Sequence, residues 1–263
     1  MLMNILITGG CGFIGSSIAE YLIKFTDYNI VIIDKLTYAS KGLSRVNHLP
    51  QDRVKVFTWD LVIPISEGLV EELGDINIIL HLAAESHVDD SIASPVSFIH
   101  NNVMSTCQVL EYAKKLKNLK LINCFSTDEV FGSAPEDKEY SEEDRHNPRN
   151  PYSASKAAAE MICLSYVNTY DLPIITSNCM NVYGNRQHVQ KFIPLVIKKV
   201  LNNETVYIHS YPNCTKAGTR FYIHTDIVAK AVLFLLNHGK VGQCYNIKGE
   251  EEVDNLDLAK RIA

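Results

Sequence analysis

The sequence predicts an α/β protein built on a doubly wound, mostly parallel sheet, with a smaller C-terminal substrate-binding lobe. Three observations carry this. Apolar runs of strand length alternate with amphipathic runs of helix length, the pattern of successive βαβ units. A glycine-rich turn, Gly9-Gly10-Cys11-Gly12-Phe13-Ile14-Gly15, separates the first strand pattern from the first helix pattern. An acidic residue, Asp34, closes the second strand about twenty residues past the last glycine.

Taken in order, 3–8 is a short apolar strand. The helix after the glycine turn places Ile14, Ile18, Leu22 and Phe25 on one face. Backbone N–H groups at such a helix start can approach a pyrophosphate. The spacing is G-x-x-G-x-x-G. The strand at 29–33 delivers Asp34, placed to accept from an adenosine ribose 2′-OH and to repel a 2′-phosphate. That favours NAD over NADP, although Lys35 beside it works the other way. The third strand, 54–57, ends near Asp60, which reads either as a partner for the adenine amino group or as an ordinary turn acid. The fourth, 76–82, runs into Ala83-Ala84-Glu85-Ser86-His87-Val88-Asp89, where small residues let the chain lie against a cofactor. Glu85, His87 and Asp89 lack a second histidine cluster at ligand spacing, so no metal site is expected.

A helix pattern over 95–116 carries Ile99, Val103, Cys107, Leu110 and Ala113 on one face, and 119–125 is a fifth strand. The acidic, proline-containing stretch 134–151 reads as a surface loop. A long helix over 152–170, a strand over 173–178, a helix over 192–201 and a short strand over 205–209 follow. Polar residues lead to Arg220, then come a helix within 221–237, a strand over 243–247 and a helix-like run over 256–262. This divides the chain into a cofactor domain, 1–180 with 221–247 returning to it, and a substrate lobe, 181–220 with 248–263.

At 263 residues and 46% hydrophobic content the chain can bury a full core. A net charge of −5 without a basic block argues against nucleic acid as a partner. Seven scattered cysteines, odd in number and without a C-x-x-C pair, read as reduced thiols in the cytoplasm. No positively charged leader or membrane-length apolar run is present, so neither secretion nor a membrane is expected. The glycosylation patterns at Asn203 and Asn213 carry no weight without secretion.

The chemistry gathers in two places. Ser126-Thr127-Asp128-Glu129 follows the fifth strand, so two carboxylates stand at a strand's carboxyl end, where open α/β sheets hold ligands. Tyr152 and Lys156, at i and i+4, share a helix face. With Thr8-Gly9-Gly10-x-Gly12-x-x-Gly15, this Tyr-x-x-x-Lys pair resembles the extended short-chain dehydrogenase/reductase superfamily and its Rossmann sheet. More narrowly, the chain is similar to the nucleotide-sugar 4,6-dehydratases that act on dTDP-glucose or UDP-glucose in rhamnose synthesis. Asp34-Lys35-Leu36-Thr37-Tyr38-Ala39, the 81–89 run, Ser126-Thr127-Asp128-Glu129-Val130-Phe131-Gly132 and Pro151-Tyr152-Ser153-Ala154-Ser155-Lys156 carry that likeness. The related sugar epimerases lack the Asp-Glu pair.

The resemblance implies bound NAD contacting Gly9, Gly12, Phe13, Ile14, Gly15, Asp34, Lys35, Thr37, Asp60, Leu61, Leu82, Ala83 and Ala84, with Tyr152 and Lys156. It implies that Ser86, His87, Thr127, Asn181, Lys191 and Arg220 bind substrate. Tyr152 would take the 4-OH proton as C4 yields a hydride, with Lys156 and the nicotinamide charge lowering its pKa. Thr127 would hold the 4-oxygen, Glu129 remove the C5 proton, and Asp128 protonate the departing C6 hydroxyl before the hydride returns to C6. Relatives pair two helices with their copies in a four-helix dimer contact. Met161, Leu164 and Val167 would serve that contact, or simply pack the core.

There are departures. Asn185 stands where a proline is expected, the glycines before Arg220 are missing, and 209–220 is longer than usual. The chain stops in a helix-like run where family members continue, which reads as a truncated C-terminus. Asn181-Val182-Tyr183-Gly184 and the 239–247 run lean towards the UDP-glucose enzymes. An epimerase or oxidoreductase on the same fold, and a non-catalytic NAD-binding protein, remain as alternatives.

Overall fold

The computed structural model describes residues 3–135, 138–210 and 217–263. Its elements begin with β1 Asn4–Thr8, α1 Phe13–Phe25, β2 Asn29–Asp34, β3 Val54–Thr58, α2 Glu67–Leu73, β4 Ile78–His81, α3 Val88–Ala93, α4 Pro95–Ala113 and β5 Leu121–Thr127. A 3-10 turn, Asp128–Phe131, then leads on to α5 Pro151–Tyr170, β6 Ile174–Cys179, β7 Asn181–Tyr183 and α6 Phe192–Leu201. The chain ends with β8 Thr219–His224, α7 Thr225–His238, β9 Cys244–Ile247, β10 Glu252–Asp254 and α8 Asn255–Ile262.

Seven strands form one sheet in the order β3-β2-β1-β4-β5-β6-β9, with every pairing parallel. The chain steps outward from β1 to β3, then crosses back to lay β4 on the other side of β1. That reversal opens a crevice at the strands' carboxyl ends, where doubly wound sheets bind ligands. Side chains alternate between the two faces, as strand geometry requires. Ile5, Ile7, Ile30, Ile32 and Leu80 pack with α1 and α7. Leu6, Val31, Ile33, Ile79 and Ile122 pack with α2, α4 and α5.

A second sheet, β10-β8-β7, lies outside the main one. β7 and β8 run parallel, while β8 and β10 are antiparallel. Here the structure corrects the sequence reading. The helix expected within 221–237 starts only at Thr225, because Phe221-Tyr222-Ile223 belongs to β8 and His224 caps α7 by accepting from Asp226 N–H at 3.3 Å. The strand expected at 205–209 is not formed: among the described residues no strand pairs with it, and Ser210 bridges Ala217 in isolation. Asn213 and most of the polar stretch before Arg220 lie outside the described residues.

Two helix faces also differ from the apolar pattern. Ile14, Ile18 and Leu22 face the core, but Phe25 is exposed at the end of α1. On α4, Leu110 and Ala113 are buried while Ile99 is exposed. The buried face instead runs through Phe98, Asn102, Ser105, Thr106 and Val109. Those polar residues serve the cleft, so apolar periodicity alone misplaces the face.

Candidate active site

The carboxyl ends of the strands enclose a cleft of about 380 Å³, within the usual range for small-molecule sites. One end is built by the glycine turn. Gly9 has φ +68°, and a Cβ there would lie 2.8 Å from Ala83 N, so backbone meets backbone across the cleft floor. A Cβ on Gly15 would strike Gly9 O. Gly12 starts α1 with no side-chain cap, leaving first-turn N–H groups for an anion. Asp34 is buried at the end of β2. Its Oδ2 accepts from Cys11 N–H at 3.0 Å and its Oδ1 from Leu36 N–H at 2.8 Å. These groups fit a dinucleotide: an anion cradle at a helix start and, one strand along, a carboxylate for a ribose.

The same cleft wall contains Phe13, Ile14, Lys35, Thr37, Asp60, Leu61, Leu82, Ala83 and Ala84. Every residue expected to contact the cofactor therefore lines it. Lys35 donates to Asn101 Oδ1 at 3.1 Å and stands 3.5 Å from Glu85 Oε1. The Asp60 carboxylate accepts from Val62 N–H at 3.1 Å, which satisfies the turn-acid reading while keeping the residue in the wall.

The other end holds the chemistry. β5 ends at Thr127, whose hydroxyl donates to Asp128 Oδ1 at 3.2 Å and accepts from Glu129 N–H at 3.3 Å. The 3-10 turn thereby sets the two carboxylates side by side. Glu129 Oε2 accepts from Asn150 Nδ2 at 3.0 Å. Asn150 is also the cap of α5, and its Oδ1 accepts from Ser153 N–H, so the helix bearing Tyr152 and Lys156 is tied to the Glu129 turn. Tyr152 and Lys156 line the cleft with Thr127, Asp128 and Glu129.

The electrostatics bear on Asp128 and on the Tyr-Lys pair. Burial, reinforced by the Glu129 charge, pushes the Asp128 carboxyl up to about 6. A group held there can carry a proton near neutral pH, as a general acid must. The Tyr152 phenol is pushed up by burial and by Glu129, with Thr127 acting the other way. The lowering expected from Lys156 is thus not present in the protein alone. Burial pushes Lys156 itself down.

Of the expected substrate residues, Ser86, Thr127, Asn181 and Lys191 line the cleft, and Lys191 donates to Ser86 O at 3.3 Å. The structure does not bring His87 or Arg220 into that wall. His87 caps α3 and faces Asp90 at 3.5 Å; Arg220 is exposed on β8 and donates to Thr219 O. Sequence reasoning missed two residues. Asn102 on α4 accepts from Glu85 N–H at 2.8 Å and donates to Glu85 O and Ser155 Oγ, clamping the 82–86 loop to α5. Arg45, 2% exposed, donates to Arg186 O at 2.9 Å and to Cys11 O at 3.3 Å. A polar residue inside a helix pattern was the available signal for Asn102; Arg45 had none. Among the described residues no His/Cys/Asp/Glu cluster could hold a metal ion, and no helix is long and apolar enough to cross a membrane.

Comparison with known proteins agrees with this geometry. The profile of the NAD dependent epimerase/dehydratase family matches residues 5–247. A dTDP-D-glucose 4,6-dehydratase of Dictyostelium discoideum is 38% identical over 99% of this chain, which spans 62% of that protein. A dTDP-glucose 4,6-dehydratase of Escherichia coli is 35% identical, with 99% of this chain covering 76% of it. A trifunctional Arabidopsis thaliana protein with UDP-glucose 4,6-dehydratase activity in its name is 38% identical over 98% of this chain and 39% of its own. Among solved structures, a dTDP-glucose 4,6-dehydratase of Streptomyces venezuelae with NAD bound superposes with TM-score 0.88 at 33% identity, over 99% of this chain and 80% of that one. A UDP-glucuronic acid 4-epimerase of Bacillus cereus superposes equally well, with TM-score 0.88 at 29% identity over 99% and 82%. From its glycine cradle to its Tyr-x-x-x-Lys helix, the chain belongs to the NAD dependent epimerase/dehydratase family.

Proposed function

We propose that the protein is an NAD-dependent nucleotide-sugar 4,6-dehydratase that converts UDP-glucose or dTDP-glucose to the 4-keto-6-deoxy sugar in deoxysugar biosynthesis of the rhamnose type. One observation carries the choice of reaction: Asp128 and Glu129 stand in the same cleft as Tyr152 and Lys156, and burial pushes Asp128 up to about 6. Oxidation at C4 needs only the Tyr-Lys pair. Loss of water across C5 and C6 needs a base and an acid as well, and this pair offers one of each.

Bound NAD would supply a hydride acceptor for C4 and a donor for C6. Tyr152 takes the 4-OH proton, with Thr127 holding the 4-oxygen. Because burial and Glu129 hold the phenol high, the base form needs positive charge beside it, which Lys156 on the same helix face and the nicotinamide of bound NAD would supply together. Glu129, oriented by Asn150, removes the C5 proton made acidic by the C4 ketone. Asp128 gives its proton to the departing C6 hydroxyl. Lys191 and Asn181 reach the sugar nucleotide, and Arg220, outside the wall, lies near enough for its charge to act on Asp128. Asp34 holds the adenosine ribose.

We propose the same division, 1–180 with 221–247 for the cofactor and 181–220 with 248–263 for substrate, with 221–224 of β8 pairing in the second sheet. Met161 on α5 (50% exposed) and Val96 on α4 (78%), with Ile99 and Leu164 also exposed, leave an apolar face on two adjacent helices. That supports a homodimer through a four-helix contact. The thiols and the absence of a basic block support a cytoplasmic enzyme. UDP-glucose is favoured over dTDP-glucose by the 181–184 and 239–247 runs.

Mass spectrometry of the products from each sugar nucleotide, with no external oxidant, tests the reading: loss of one water supports it. The second reading, a 4-epimerase, is favoured by the equally good fit to a 4-epimerase structure, and would give a product of unchanged mass. The kcat/KM ratio for the two nucleotides decides the base.

A further inference from the structure

Tyr152 can act as base only beside a cation, yet the structure places Lys156 where a cation is costly: it is 6% exposed, and burial pushes its ammonium below the ordinary lysine value. One turn further along α5, Glu160 is also buried, 7% exposed. A buried carboxylate is rarely kept without partners, and three elements supply them. The Ser126 hydroxyl donates to Oε1 from β5, Asn178 Nδ2 donates to the same oxygen at 3.0 Å from β6, and His146 Nε2 meets Oε2 at 3.3 Å from the loop before α5. Lys156 and Glu160 both line a small cavity of about 10 Å³, close to the room one water needs.

We propose that Glu160 is a positioning residue: the buried counter-charge that keeps Lys156 a cation across a water-sized cavity, while fixing Ser126 and so the turn that carries Thr127, Asp128 and Glu129. It touches neither sugar nor cofactor and acts through Lys156 and Ser126. Other titratable groups surround it. Cys163 on α5 is held up by Cys124 and by burial, and Cys244 on β9 by burial. His81 on β4, also lining the cavity, is pushed down to about 3 by burial and by Lys156, so its ring is neutral. His146 is raised by its bond to Glu160. Cys124 on β5, Glu160 and Cys163 all work to hold the Lys156 proton against burial.

The inference rests on the oxidation half of the proposed reaction, which a C4 epimerase would share. Glu160→Gln keeps the shape and the accepting oxygen but removes the charge. Mixed with UDP-glucose or dTDP-glucose at pH 8, it should form bound NADH at least about tenfold more slowly than wild type, and the alkaline limb of kcat should move about one pH unit lower. The isotope effect of C4-deuterated substrate should rise, while NAD content and Tm change little. Glu160→Asp, which keeps the charge on a shorter arm, should move the limb in the same direction by less than half as far. If the Gln variant does not fold, the Asp variant decides alone. An alkaline limb superimposable on wild type, or normal NADH formation with slowed elimination, overturns the proposal. A wild type that forms NADH but no 4-keto-6-deoxy sugar overturns the dehydratase reading and leaves this one standing; a wild type that forms neither NADH nor any product overturns both.

Discussion

A carboxyl group raised in the folded protein destabilises it, and Asp128 should show this. Its folded value is about 6, against an ordinary value of 3.8. Well below pH 3.8 the group is protonated in both states and costs nothing. Well above pH 6 it is ionised in both, and the folded protein carries a buried charge that the unfolded chain exposes to water. At 1.36 kcal/mol per pH unit the full cost is about 3 kcal/mol, reached near pH 7.5; at pH 4.5 it is about 1 kcal/mol. Asp128→Asn removes the charge and keeps an oxygen for the Thr127 hydroxyl, so it should be more stable than wild type by those amounts. Urea unfolding of both proteins, without added cofactor, at pH 4.5 and 7.5 measures the difference. The same variant should lose roughly 10²–10⁴-fold in dehydration rate, a gain in stability at the expense of catalysis. A variant no more stable than wild type at pH 7.5, or a gap that does not grow with pH, refutes the assignment of Asp128 as the buried acid.

Other outcomes follow from the same geometry. Glu129→Gln should accumulate bound NADH on mixing with substrate, seen by absorbance, because elimination is blocked after C4 oxidation; Tyr152→Phe should show none. Asp34→Ala should weaken NAD binding by about 1–3 kcal/mol in calorimetry, the usual worth of a hydrogen bond to a charged group, and weaken the sugar nucleotide less. Met161→Glu with Leu164→Glu should give a monomer by light scattering at micromolar concentration, whereas wild type should be a dimer.

The core of the fold was legible because local signals agreed with one another. The βαβ rhythm, the glycine turn and Asp34 each point to one crevice, and all the expected cofactor residues reached it. Thr127 to Glu129 were legible because strand ends are where such sheets place ligands. The second sheet was not, since β7 and β10 are three residues each and take their stability from β8 rather than from any pattern of their own. Phe221-Tyr222-Ile223 suits a strand as well as a helix start, and only pairing with 181–183 and 252–254 decides it. The inner face of α4 was obscured because Asn102, Ser105 and Thr106 are buried for the site and not for the core. Glu160 was hidden in the same way: its position one turn past Lys156 is visible in the sequence, but its partners arrive from β5, β6 and a distant loop.

Deuterium at C4 of the sugar tests the central claim most directly. One cofactor held in one cleft, acting first at C4 and then at C6 with Asp128 and Glu129 between the two events, should deliver the label to C6 of the product, with none released to water or to free cofactor. Label retained at C4 would mean an epimerase, label in free NADH a dehydrogenase, and either result would contradict the dehydratase account.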